Sequence, residues 1–172
     1  VQRLEDIAHQ EPSAIEWETL IESCAIAACS KHNAEFAEVI SIVVDPNAQA
    51  TAVRRVAVEM TLVNLIDNAI KYSGDSPAVK IEVSILRTSR VKISVIDNGP
   101  GIPINARADI FKRFYRAGDE LERQTQGTGL GLYICQTLVK SLKGSIDVDN
   151  RADEAGCVFT VELPLVPIRG AL

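Results

Sequence analysis

A chain of 172 residues that is 47% hydrophobic is long enough for one domain with its own core and needs no disulfide or metal staple. Its net charge of −5, from 18 Lys and Arg against 23 Asp and Glu, argues against nucleic acid as a partner, which demands cations to neutralise phosphates, but leaves room for a single phosphate pocket. No apolar run approaches the ~20 residues that span a bilayer and no signal peptide is visible, so a cytoplasmic chain is expected, even if a parent protein is membrane-anchored.

In chain order, residues 1–13 read as the end of a charged helix and a linker, with Leu4, Ile7 and Ala8 on one face and Pro12 as the stop. The domain proper is expected over 14–168, with 169–172 as a tail. Residues 17–21 suit a short strand or a helix entry, 20–29 an apolar helix ended by Lys31-His32-Asn33, and 37–44 a Val- and Ile-rich strand. A long helix over 52–72 carries Leu62, Leu65, Ile66, Ala69 and Ile70 as a buried stripe. Residues 79–86 and 91–96 alternate apolar and polar positions, which predicts an antiparallel hairpin turning through 87–90. A short amphipathic helix over 109–115 precedes a polar stretch through Gln126, a loop long enough to be functional. Residues 130–142 form a second helix with Gly144 as its stop, and 145–148 with 157–163 close as a hairpin. The sum is an α+β architecture, a largely antiparallel sheet with helices on one face. Cys24, Cys29, Cys135 and Cys157 show neither CxxC nor zinc spacing and read as reduced core residues.

Four clusters carry chemistry. In NLIDNAIKYS, Asn64, Asn68, Lys71 and Tyr72 lie at i, i+4, i+7 and i+8, on one side of the long helix. Asn is a poor helix former, so the pair is either a solvated face or a site: an amide oxygen can hold Mg²⁺, Lys71 can meet a phosphate and Tyr72 a base or ribose. In Asp97-Asn98-Gly99-Pro100-Gly101, a strand-end carboxylate can accept from the amino group of adenine, though the same residues make an ordinary turn. In Gly127-Thr128-Gly129-Leu130-Gly131, glycine-rich backbone runs into a helix N-terminus and can present N–H groups to an anion. It fits neither a Walker A loop nor a Rossmann fingerprint. Phe111, Phe114 and Tyr115, flanked by Arg113 and Arg116, are either a core-covering helix or a docking face beside a mobile loop.

Taken in order, these clusters resemble the catalytic and ATP-binding domain of histidine kinases, within the wider family that includes gyrase B, Hsp90 and MutL. NLIDNAIKYS resembles the N box, VIDNGPGI the first glycine box, IFKRFYRA the F box, GTGLGLYIC the second glycine box and GCVFTVELPL the closing strand. The resemblance runs from about Glu16 to Val166. It implies a two-layer α/β sandwich of the Bergerat type, with a mixed, mostly antiparallel sheet and ATP bound between helices and a lid over 104–126. Carried over position by position, Asn68 would coordinate Mg²⁺, Lys71 would contact phosphate and Tyr72 would pack near the nucleotide. Asp97 would hold the adenine amino group, with Gly99, Gly101 and Ile102 shaping its pocket. Phe114 would belong to the lid side, and Gly127, Thr128, Gly129, Leu130 and Gly131 would border the phosphates.

Hydrolysing relatives carry a Glu one turn before the metal Asn. Here that position is Asn64, which is no base near neutral pH, so Asn64, Asn68 and Lys71 would serve transfer to an incoming nucleophile. The family's acceptor histidine is missing, because neither His9 nor His32 fits its motif. The partners implied are the parent's dimerisation and phosphoacceptor helices and, indirectly, a response regulator receiver domain. A non-catalytic nucleotide sensor and a hydrolysing ATPase or serine kinase are the competing readings. Cys157 departs from the family, which often has Thr after that glycine, with a small local effect expected.

Overall fold

The computed structural model describes residues 6–7, 11–48, 51–86, 89–116 and 128–165. Strand β1 (Ser13–Ile15) leads into helix α1 (Trp17–His32), the four-residue helix α2 (Phe36–Val39) and β2 (Ile40–Val44). Then come β3 (Thr51–Val53), α3 (Arg55–Tyr72), β4 (Val79–Leu86), β5 (Arg90–Ile96), α4 (Gly131–Ser141), β6 (Ser145–Asn150) and β7 (Cys157–Pro164). None of the described helices is long and apolar enough to cross a membrane.

The main sheet runs β2-β4-β5-β7-β6, antiparallel except for the β2–β4 pair at one edge. Its register shows why the alternating sequences fold this way. Ile81 faces Val95, Val95 faces Phe159, and Phe159 faces Val148, giving one apolar row. Val83, Ile93, Val161 and Ile146 make the next. All eight are buried, whereas Lys80, Glu82, Lys92, Thr160 and Glu162 alternate onto the opposite side. Helices α1, α3 and α4 cover the apolar rows: α3 buries Leu62, Leu65, Ile66, Ala69 and Ile70, and α4 buries Cys135, Leu138 and Val139. All four cysteines are free buried thiols. The expected fold class is thus observed, a two-layer sandwich with helices on one face of a mixed, mostly antiparallel sheet.

Several local expectations are corrected. Of the two readings of residues 17–21, the helix entry holds, because α1 opens at Trp17. The strand expected over 37–44 begins only at Ile40, because Glu38 and Val39 both donate to the Glu35 carbonyl and wind the first residues into a turn. Helix α3 starts at Arg55, since the residues before it pair as β3 with β1, Ser13 opposite Val53 and Ile15 opposite Thr51. Gly144 is not the left-handed stop of α4. Lys143 takes that conformation, at φ 59°, and Gly144 instead lies against the Glu162 carbonyl. Of the leader, Asp6 and Ile7 are helical and Glu11 and Pro12 are not, while residues 1–5 and 8–10, His9 included, lie outside the described residues.

The helix expected over 109–115 does not form. Lys112 donates to Asp109 and Tyr115 to Lys112, which are turns of three rather than a continuing α-ladder. Phe114 breaks the run: it sits at φ 61° and sends its N–H to Gly129.

Candidate nucleotide-binding site

The four clusters meet around the C-terminal half of α3. Asn64 and Asn68 are half-buried there, one turn apart, followed by half-buried Lys71 and exposed Tyr72. The Lys71 ammonium lies 5.0 Å from the centre of the Tyr72 ring, within cation–π range. Asn64 donates its amide to the Met60 carbonyl at 2.7 Å. Its oxygen sits 2.9 Å from where a side chain on Gly131 would begin, so the start of α4 presses directly on α3 at this residue.

The glycine run before α4 is held from the other side. Gly129 adopts φ +67°, and its Cα lies so close to Phe114 that a Cβ would stand 2.9 Å from that residue's backbone. Only glycine meets both demands. Its carbonyl accepts the Phe114 N–H at 3.0 Å. Thr128 precedes it and Leu130 and Gly131 follow, while Gly127 lies outside the described residues, as does the part of the expected lid over 117–126. Phe114 projects into solvent at 70% exposure beside this loop, whereas Phe111 is buried edge-on against Phe159. Of the two readings of the aromatic cluster, core cover therefore holds for Phe111 and exposure for Phe114. Arg113 reaches α4: it donates to the Tyr133 hydroxyl at 2.6 Å and stacks 4.4 Å from that ring. That hydrogen bond holds the Tyr133 phenol below its ordinary range.

At the end of β5, Asp97 is one of the few buried polar side chains, only 4% exposed. Its Oδ1 accepts from the Gly99 N–H at 2.9 Å and from the Cys157 N–H at 3.1 Å. Its Oδ2 accepts from the Cys157 thiol at 2.9 Å. Burial and the adjacent carboxylate push that thiol well above its ordinary range, so it stays a protonated donor near neutral pH. Gly99 lies against the Tyr72 carbonyl, which brings the end of β5 to the end of α3. Asn98 turns away to bind the connection after α3, accepting from Ala78 and donating to Ser76.

Sequence reasoning missed Asn150. Its side-chain oxygen accepts the Ile102 N–H at 2.8 Å and packs against Gly101, so the last residue of β6 holds the turn after Asp97. Beside it Arg107 pairs with Asp149 at 2.6 Å and donates to the Ile102 carbonyl at 3.4 Å. The one signal available was the hairpin register, which sets Asn150 opposite Cys157 at the mouth of the β6–β7 pair. His32 does not join the site, since it lies at the end of α1 and meets Asp67 at 3.2 Å; His9 lies outside the described residues.

A buried strand-end carboxylate, an amide-bearing helix and a glycine loop opening a second helix define a nucleotide-binding class of site. Residues 53–167 match the family model described as "Histidine kinase-, DNA gyrase B-, and HSP90-like ATPase", and the chain belongs to that family. Among curated relatives it is similar to the sensor histidine kinase TmoS of Ectopseudomonas mendocina, 39% identical over 113 residues, which are 66% of this chain and 12% of TmoS. The chain thus spans about an eighth of that relative's length. Among solved structures it is similar to the catalytic domain of histidine kinase ThkA, at 28% identity and a TM-score of 0.75, covering 90% of this chain and 96% of that one. It is also similar to full-length ShkA in complex with AMPPNP, at 26% identity and a TM-score of 0.75, covering 95% of this chain and 33% of ShkA.

Proposed function

We propose that this chain is the ATP-binding catalytic part of a two-component sensor histidine kinase, and that it transfers the γ-phosphoryl group of ATP to a histidine outside residues 1–172. The observation that carries the reading is Asp97: a buried carboxylate, fixed by backbone and thiol donors, where the family resemblance puts the acceptor for the adenine amino group. Gly99, Gly101 and Ile102 shape the pocket beside it. Tyr72 and Lys71 lie along the nucleotide, and Thr128, Gly129, Leu130 and Gly131 border the phosphates with Gly127. Phe114 stands on the lid side.

The residues present suit a magnesium–nucleotide complex. The Asn68 amide is half-buried and, among the described residues, not committed to a hydrogen bond. No group of three or more His, Cys, Asp or Glu among the described residues could hold a cation by itself. Asn68 would therefore hold Mg²⁺ together with the phosphates, where the ion would supply charge neutralisation. The chain's own contribution to transfer is positioning. Asp97 sets the base, Asn68 and Lys71 set the phosphate end, and Asn64, its amide committed to Met60 and its oxygen set against Gly131, offers no base to activate water. In this reading residues 1–13 end a dimerisation helix and linker, residues 14–168 are the catalytic unit, and 169–172 are a tail. The parent's phosphoacceptor helices are the immediate partner, a receiver domain the indirect one, and the setting is cytoplasmic.

Calorimetric titration with ATP tests this, with and without Mg²⁺, for the wild type, Asp97→Asn and Asn68→Ala. Saturable binding lost in Asp97→Asn, with a Mg²⁺ dependence lost in Asn68→Ala, is expected. Labelled phosphate should then appear on phosphoacceptor helices of the parent supplied in trans. Steady release of phosphate by the isolated chain, without transfer, would favour the hydrolase reading.

A further inference from the structure

Helix α4 opens without a side-chain cap, and its first turn holds no acidic residue. The Ile134 N–H donates to the Leu130 carbonyl at 2.9 Å, so the N–H groups of Gly131, Leu132 and Tyr133 have no acceptor within the helix. This is the positive end of the helix dipole, where a second positive charge is unfavourable. A cation nevertheless lies there. The Arg113 guanidinium sits over the Tyr133 ring, 4.4 Å from its centre, and donates to the hydroxyl of the same ring at 2.6 Å. Both contacts are made to a neutral group, and among the described residues Arg113 meets no carboxylate. The next residue is held from the same side. Phe114, at φ 61°, donates its N–H to the Gly129 carbonyl at 3.0 Å. Two consecutive residues are thus fixed to the glycine run and α4, one by its side chain and one by its backbone.

We propose that Tyr133 is a positioning residue: it holds Arg113 at the first turn of α4, so that the guanidinium adds its charge to that turn's N–H groups and favours a nucleotide with a polyphosphate tail. The inference rests on the reading that residues 127–131 border the phosphates, and deepens it. A polyanion is the ligand that makes this arrangement favourable, because helix terminus and cation then attract the same group. Side chains on a helix lean toward its N-terminus, so the Tyr133 ring carries the guanidinium toward the glycine run. The stack fixes the plane of the guanidinium, and the hydroxyl uses only one of its five N–H donors. An arginine without that platform has to be ordered as the nucleotide binds. Tyr133 does the ordering beforehand.

The test compares ATP with adenosine monophosphate, which has the same base and ribose but a single phosphate. Affinities are measured by calorimetry, with the weaker ligand in competition against ATP. The proteins are the wild type, Tyr133→Phe, Tyr133→Leu, Arg113→Gln and the double variant Tyr133→Phe/Arg113→Gln, each checked for folding by urea denaturation. Phe keeps the ring and removes the acceptor, and Leu removes both. Loss of one ordered, rotamer-rich side chain predicts that ATP binds about threefold to tenfold more weakly to Tyr133→Phe, and at least as weakly to Tyr133→Leu. Binding of the monophosphate should stay within about twofold of wild type. Tyr133→Phe should cost nothing further once Arg113 is Gln. Near-ultraviolet titration adds an independent reading. The Arg113 hydrogen bond, and then that of Thr137, holds the Tyr133 phenol below its ordinary range, so the phenol lost in Tyr133→Phe should ionise at higher pH in Arg113→Gln.

A Tyr133→Phe protein that binds ATP as tightly as wild type overturns the inference alone. So does an equal loss for both nucleotides, since the ring would then shape the site rather than place a charge. A loss that persists in full beside Arg113→Gln shows that Tyr133 does not act through Arg113. A phenol whose titration ignores Arg113 removes the contact on which the inference stands. Wild type that binds neither nucleotide overturns the reading of the site, and this inference with it.

Discussion

Gly156, the residue before Cys157, shows how tightly the chain is drawn around the carboxylate. It sits at φ +124°, and a Cβ there would overlap the Asp97 carbonyl oxygen and stand 2.9 Å from Arg151 Cδ. Gly156→Ala is therefore expected to cost at least about 2 kcal/mol, read as a lowered urea midpoint. Gly74→Ala is the control, because Gly74 also has positive φ, +71°, but nothing within 4 Å of its Cβ position. It should cost only the left-handed penalty of about 1 kcal/mol. Equal losses would mean that backbone conformation rather than the close approach sets the cost.

The buried thiols give a pH signature at the same scale. Burial, and then the Glu59 charge, pushes Cys24 up to about 11, and burial pushes Cys135 up to about 12, from a reference of 9.0. Both values are raised, so between pH 9.0 and those values the folded chain keeps protons that the unfolded chain releases. The stability concerned is fully present below the unfolded value and is lost as pH rises through the folded one. Urea midpoints measured across that range should fall less steeply for Cys135→Ala than for wild type. At neutral pH the same variant should be less stable by about 1 kcal/mol, for the vacated space.

At the scale of elements, the β6–β7 hairpin supports the first glycine box from beneath. Cys157 holds Asp97 at one end of that box, and Asn150 holds Ile102 at the other. Asn150→Ala leaves the Ile102 N–H without its acceptor and opens space beside Gly101. The expected result is adenine-nucleotide binding weakened about threefold to tenfold in calorimetry, the worth of one hydrogen bond, with Asn150→Asp retaining most of it. A variant that binds normally would show that the turn holds its shape without this bond.

Those two pegs also mark the limit of what the sequence discloses. Helices α3 and α4 and the β4–β5 and β6–β7 hairpins are legible because their apolar positions repeat with one period over many residues. Leu62, Leu65, Ile66 and Ala69 leave no other reading, and neither does the alternation of Val79, Ile81 and Val83. The segment around Phe114 reads as helix because Phe111 and Phe114 sit at helical spacing. What breaks it is a hydrogen bond to Gly129, fifteen residues on, which no local pattern encodes. The β1–β3 ribbon was hidden for the same reason, since two three-residue strands only make sense once paired. Asp97 and the asparagines of α3 stood out because their residue types are unusual where they lie. Asn150 did not, because an Asp-Asn pair closing a strand is what any turn would carry.

For the whole molecule, the question is whether the N-terminal layer folds with the sheet or separately. Trp17, the chain's one tryptophan, opens α1 and is 1% exposed. It belongs to the same continuous core as Leu62, Ile93 and Phe159, residues of α3, β5 and β7. Ile15 of β1 and Val53 of β3 lie in that core too, so the ribbon is joined to it on both strands. A single core argues for one cooperative unit. Tryptophan fluorescence, which reports α1, and far-ultraviolet circular dichroism, which reports all the helices and strands, should then give coincident urea transitions. If the fluorescence midpoint came first, α1 and the ribbon would form a separate, weaker unit. Events at the leader could then reach α3, and with it Asn64, Asn68 and Lys71, by local unfolding. Coincidence means instead that displacing the leader strand must strain the core directly, because Val53 of β3 lies two residues before α3 begins.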